Sequence, residues 1–237
     1  VGTEDYTYMG LGILIPNNNI IKFNKSEIDA NNNIFKNKTN ILLVHLRLYA
    51  NFYNKSYDEY QLQPITYKDM AFMHVGTLYM NNIPNYPPKY IEDKFKEYMI
   101  VNTDSGYMFA LFLYYYYNNE EMDNLDRLLI SFIYMIKKTI DSSENIGGLL
   151  NNLIYNKDFV LCSRLTINNS SASAPIYYTL HNNDLMISLE PTNTKLYWIE
   201  IPHQSILLFY KNKVLIHRLD NYSCLLYTSP SPRDFEA

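Results

Sequence analysis

From Pro175 to Leu219 the apolar residues fall in short runs that read at a period of two, whereas between 120 and 140 they recur at every third or fourth position. Period two sorts side chains onto the two faces of a strand, and period 3.6 paints one face of a helix. A chain carrying both signals has to pack strands against helices. Five strand-like runs are predicted at 176–180, 185–189, 195–201, 206–210 and 214–219, with short polar breaks such as Lys211-Asn212 between them. Connections that short favour antiparallel neighbours in a meander. The central helix is predicted over 120–140, where Met122, Leu125, Leu128, Leu129, Phe132, Ile133, Ile136 and Ile140 form one stripe. Its acidic start (Glu120, Glu121, Asp123) and basic end (Lys137, Lys138) suit the helix dipole.

Upstream, residues 11–23 read as a hairpin around Pro16-Asn17-Asn18-Asn19, and 24–40 as a polar loop. Helices are predicted over 39–53, with Leu42, Leu43, Leu46, Tyr49, Ala50 and Tyr53 at helical spacing, over 66–75 behind Thr66, and over 88–99 behind Pro87-Pro88. Asn102 to Gly106 reads as the turn of a β-hairpin spanning 99–117, although the apolar run 108–117 suits a helix equally well. A short helix is predicted over 146–155 and a linker over 168–174. The resulting class is α+β. Its parts are an extended start and loop (1–38), a helical N-terminal module (39–117), connecting helices (118–170) and a C-terminal antiparallel β meander (175–223).

The remaining fourteen residues, CLLYTSPSPRDFEA at 224–237, spell a common sequencing adapter translated in one frame, and are read as non-native. The chain begins with Val1, so it is read as a fragment. Setting the tail aside leaves Cys162 as the one native cysteine. Abundant Asn, Tyr, Lys and Ile point to an A/T-rich genome, which fits a phage, plasmid or eukaryotic virus and many cellular genomes as well.

Several chemistries lack a signature. No apolar run reaches the ~20 residues of a membrane span. With seven glycines the chain has no GxGxxG and no GxxxxGK[ST]. His45, His74, His181, His203 and His217 form no zinc-ligand spacing. Cys162 could act as a nucleophile with a strand-module histidine and Asp184 or Asp220, but its neighbours Val160, Leu161 and Leu165 make it read as a small buried hydrophobe. Neither a metal nor a cofactor is therefore expected, and the chain reads as non-enzymatic. The aromatic patch Tyr114 to Tyr117 could stack on bases or build an assembly surface.

Four segments, KNKTNILLVHLRLYANFY, ITYKDMAFMHVG, PPKYIEDKFKEYMI and VNTDSGYMFALFL, give the order helix, helix, helix, hairpin. This order resembles the winged helix-turn-helix domain of phage and plasmid replication initiators and regulators. The resemblance implies a third helix in the major groove and a hairpin wing on the DNA backbone or minor groove. It makes Lys89, Lys94 and Lys96 groove or phosphate contacts and Lys68 a phosphate contact from the second helix. The expected function is a nucleic-acid-binding protein of a phage or mobile element, working in the host cytoplasm with DNA as partner. The alternative is a capsid, tail or other interaction subunit that associates with itself.

Overall fold

The structure, a computed structural model of the chain, describes residues 6–15, 19–24, 42–50, 63–76, 78, 91, 93–96, 103–142, 148–167, 174–182 and 184–219. The chain divides into two compact units, residues 1–74 with 154–157, and residues 75–153 with 158–237.

The first unit is built from strands. β1 (Tyr6–Ile15) pairs antiparallel with β2 (Asn19–Asn24) and with β3 (Leu43–Ala50), giving the order β2-β1-β3. Ile13 stands opposite Ile21 on one side and Val44 on the other. The helix predicted over 39–53 is therefore β3. Leu43, Val44 and Leu46 serve a strand as readily as a helix, and the long pairing with β1 decides between them. The helix predicted over 66–75 is a hairpin of β4 (Ile65–Tyr67) and β5 (Met70–Val75), in which Ile65 faces Phe72 and Tyr67 faces Met70. Lys68, in the connecting turn, has a positive φ of 51°. Met70, Ala71, Phe72 and His74 are buried.

In the second unit, the helix predicted over 88–99 is described only as α1 (Asp93–Lys96). The predicted wing hairpin is a helix, α2 (Asp104–Asn118), and α3 (Asn124–Ser142) follows close to the expected central helix. Every residue of α2 from Ser105 to Leu113 is buried, so its sequence is apolar all round and shows no stripe. α3 starts on an Asp123 cap, whose Oδ1 accepts from the N–H groups of Leu125 (2.8 Å) and Asp126 (3.2 Å). The Asp126 hydrogen bond comes first in holding the exposed Asp123 carboxyl below its ordinary pKa. Between the helices, Tyr115 stacks on Tyr134 at 4.9 Å and the Arg127 guanidinium donates to the Tyr116 hydroxyl at 2.9 Å. Phe95 of α1 stacks on Tyr117 at 5.9 Å. The tyrosine patch is thus spent on helix packing.

The predicted helix over 146–155 is a strand, β6 (Gly148–Asn156), followed by β7 (Phe159–Ile167). The later strands are β8 (Tyr177–His181), β9 (Asp184–Ser188), β10 (Ile199–Glu200), β11 (Ser205–Tyr210) and β12 (Lys213–Arg218). They do not form one meander. β10, β8 and β9 make a separate three-stranded sheet in that order, while β11 pairs with β7 on one side and β12 on the other. Alternation fixes each strand's faces but is silent on which sheet it joins. The expected helical, winged-helix N-terminal module is absent, and antiparallel sheet takes much of its place.

Candidate functional site

Start with the carboxylate at the head of α2. Thr103, in extended conformation, caps the helix by accepting the Gly106 N–H on Oγ1 at 3.1 Å. The next residue, Asp104, accepts on Oδ1 from the Ser105 N–H (2.8 Å) and hydroxyl (3.3 Å), and on Oδ2 from the Leu78 N–H (3.1 Å). Leu78 itself bridges to Gly148, the first residue of β6. One side chain thereby fastens a distant segment to a helix start, where a negative charge is favoured by the dipole. Asn102 to Gly106, expected to be a turn, holds the start of a helix instead. Thr and Asp before an apolar run are a helix-start signal as well as a turn signal.

A second polar group lies within β6 and β7. The Ser163 hydroxyl donates to the Leu150 carbonyl at 2.9 Å and accepts from the Asn152 N–H at 3.2 Å. Asn151 donates its amide to the Ala174 carbonyl at 3.3 Å. Asn152 is 1% exposed, and neither atom of its side-chain amide has a hydrogen-bond partner. Further along β7, Arg164 donates to Glu200 Oε1 and to the Ile201 carbonyl, both at 2.6 Å. Thr166 and Gln204 bond backbone to side-chain amide in both directions, at 3.1 and 3.0 Å. These contacts join β7 to the segment from β10 to β11.

Among the described residues of the first unit, the buried polar ones are His45, Gln63, His74 and Asn156. The Gln63 side-chain Oε1 accepts from the His74 backbone N–H, and the Gln63–Pro64 peptide is cis. Asn156 donates to Asp69 Oδ2 at 2.8 Å.

Cys162 is 2% exposed, among Ile176, Tyr178, Ile201 and Leu207. Burial pushes its thiol up to about 12. A nucleophilic cysteine needs the opposite shift and an accessible sulfur. The histidines proposed alongside it are dispersed: His181 stands opposite Asp184, His203 Nε2 lies 3.2 Å from Thr166 Oγ1, and His217 stands opposite Ile206. Among the described residues no group of three or more His, Cys, Asp or Glu could hold a metal ion. Nor, among them, is any helix long and apolar enough to cross a membrane.

The winged-helix resemblance puts Lys68 on a second helix and Lys89, Lys94 and Lys96 on a third. Lys68 lies in the β4–β5 turn, its Nζ 5.4 Å from the Tyr67 ring centre. Lys94 and Lys96 lie on the four-residue α1, with Lys94 Nζ 4.8 Å from the Phe95 ring. Lys89 lies outside the described residues.

No protein-family model matches the sequence, and neither does any curated protein. Solved structures do match. A glutamine aminotransferase class-II domain protein from Silicibacter pomeroyi aligns over 90% of this chain and 97% of its own, with a TM-score of 0.58 at 14% identity. An allosteric regulatory enzyme of purine biosynthesis aligns over 89% of this chain and 43% of its own (TM-score 0.56, 13% identity). Glutamine phosphoribosylpyrophosphate amidotransferase from B. subtilis, complexed with ADP and GMP, aligns over 89% and 43% (TM-score 0.53, 14% identity). This chain spans less than half the length of the last two. The fold is therefore like that of class-II glutamine amidotransferase domains. The winged-helix resemblance is overturned. With it goes the support for a phage nucleic-acid-binding protein, and a capsid or tail subunit gains none.

Proposed function

We propose that the chain is an amide-handling domain of the class-II glutamine amidotransferase type, taking a carboxamide substrate of the glutamine class. The observation that carries this reading is the fold likeness over 90% of this chain and 97% of the Silicibacter domain protein. Fold alone does not confer chemistry, so the reading stands or falls on a substrate test. Amide hydrolysis calls for a nucleophile, a proton-transfer group and donors facing the developing oxyanion. Cys162 is not that nucleophile. Asp104, fixed at a helix start by the Leu78 and Ser105 donors, is an anionic group that would attract the ammonium of an amino-acid substrate.

The test is ammonia release from L-glutamine by the purified chain, paired with calorimetric titration of L-glutamine against L-glutamate. Ammonia release, or saturable binding that favours glutamine, supports the proposal. Asp104→Asn then weakens apparent binding more than turnover. Absence of both release and binding at millimolar glutamine, in a chain shown to be folded, refutes it.

A further inference from the structure

The outer edge of β12 has features that the amide chemistry does not use. β12 ends its sheet, with β11 on one side and, among the described residues, no strand on the other. The two-residue Lys211-Asn212 turn has positive φ at both positions (49° and 58°), the geometry of a tight hairpin. In such a hairpin the flanking pair, Tyr210 and Lys213, exchanges hydrogen bonds, and bonded pairs then alternate along the ladder. The Leu219 N–H bonded to the Gln204 carbonyl at 2.7 Å confirms that phase at the far end. It follows that Lys213, Leu215 and His217 bond inward to β11. The backbone groups of Val214, Ile216 and Arg218 point away from the sheet.

The side chains along this edge are open as well: Leu215 is 41% exposed and Ile216 37%. The charge is one-sided. Residues 205–218 carry Lys211, Lys213 and Arg218 and no carboxylate, in a chain whose formal net charge is −4. Lys213 and Arg218 mark the two ends of the strand, roughly 17 Å apart at about 3.4 Å per residue.

We propose that β12 is a docking strand for an extended acidic segment of a partner protein, which joins the sheet by β-strand addition. The outward amides and carbonyls supply the main-chain bonds, and Leu215 and Ile216 supply apolar contact on the two faces. Lys213 and Arg218 select carboxylates at either end. A second copy of this chain is the poorer occupant, because pairing β12 with itself sets cations against cations.

The experiment uses the whole chain and a fluorescein-labelled, end-blocked octapeptide alternating valine and glutamate, followed by anisotropy at low salt. Saturable binding is expected, with slowed hydrogen exchange at the amides of Val214, Ile216 and Arg218. Lys213→Glu combined with Arg218→Glu should weaken it at least about tenfold, as loss of charge complementarity requires. Ile216→Pro removes one outward donor without touching the β11 ladder and should weaken it by a similar factor. Should that variant misfold by circular dichroism, the charge pair carries the test alone. No binding at millimolar peptide, equal binding of a valine–lysine peptide, or indifference to the charge reversal overturns the proposal. So does a dimer in sedimentation that Ile216→Pro dissolves, since a second copy would then own the edge.

Discussion

Alkylation of Cys162 tests how firmly the two-sheet arrangement of the second unit excludes it from chemistry. Its thiol is pushed from an ordinary 9.0 to about 12 by burial, so near pH 8 the thiolate fraction falls by about 10³-fold relative to an unperturbed thiol. Reaction of the folded chain with iodoacetamide should be slower than in urea by at least that factor, because 2% exposure also limits access to the sulfur. The assay is mass-spectrometric counting of modified Cys162 over time, in a Cys224→Ser background that removes the other thiol of the chain. The same shift sets a pH dependence. The folded value lies above the unfolded one, so its contribution to stability is whole below about pH 9 and is lost as pH climbs towards 12. Three pKa units correspond to a loss on the order of 4 kcal/mol across that window. Urea midpoints measured from pH 8 to 11 should decline, and decline less in Cys162→Ala. A native alkylation rate within about tenfold of the urea rate would refute the reasoning, since a thiolate at ordinary abundance would be reaching solvent.

Thr103→Ala removes the α2 cap and should lower stability by about 1 kcal/mol, read from urea denaturation. Asn152→Leu replaces a buried amide that has no side-chain partner; the change should be neutral or stabilising by about 1 kcal/mol, and a clear loss of stability in the same measurement would show the amide is used. Arg164→Ala breaks two hydrogen bonds of a buried charged group, to Glu200 and to the Ile201 carbonyl, at a cost of about 2–3 kcal/mol. Glu200→Gln should cost under about 1 kcal/mol, because its side chain is half exposed.

α3 is legible because its burial is one-sided: Leu128, Phe132, Met135 and Ile136 lie on one stripe. The runs of β8, β9, β11 and β12 lie close to their observed ranges because short polar turns bound them, although burial along them does not alternate: β11 buries Ser205 to Leu208 in succession and β12 is exposed at every residue but Val214. An element packed on every side shows no stripe. α2 is apolar throughout because it is surrounded, and a surrounded helix has the same composition as a buried strand. β6 carries Asn151, Asn152 and Asn156, residues depleted in strands, and becomes a strand only through its neighbours. β3 and the β4–β5 hairpin carry helical as well as strand spacing, and pairing decides between the two: with distant β1 for β3, across the Lys68 turn for β4 and β5.

The candidate site is hidden in the sequence for a related reason. Its polar contacts do not cluster in sequence: the Leu78 N–H and the Asp104 carboxylate are 26 residues apart, and Arg164 and Glu200 are 36 apart. Each of these contacts is made by strands and helices that were themselves misassigned or assigned to the wrong sheet. A motif search rewards short spacing, and this chain offered it Cys162 with nearby apolar residues and a run of lysines. The fold places that cysteine inside a hydrophobic cluster, Lys68 in a strand turn, and Lys94 and Lys96 together on α1. What persists through 13–14% identity to the matched structures is the arrangement of backbone elements. The chemistry must therefore be sought among residues brought together by that arrangement, which is why the glutamine assay comes before any search for a catalytic signature.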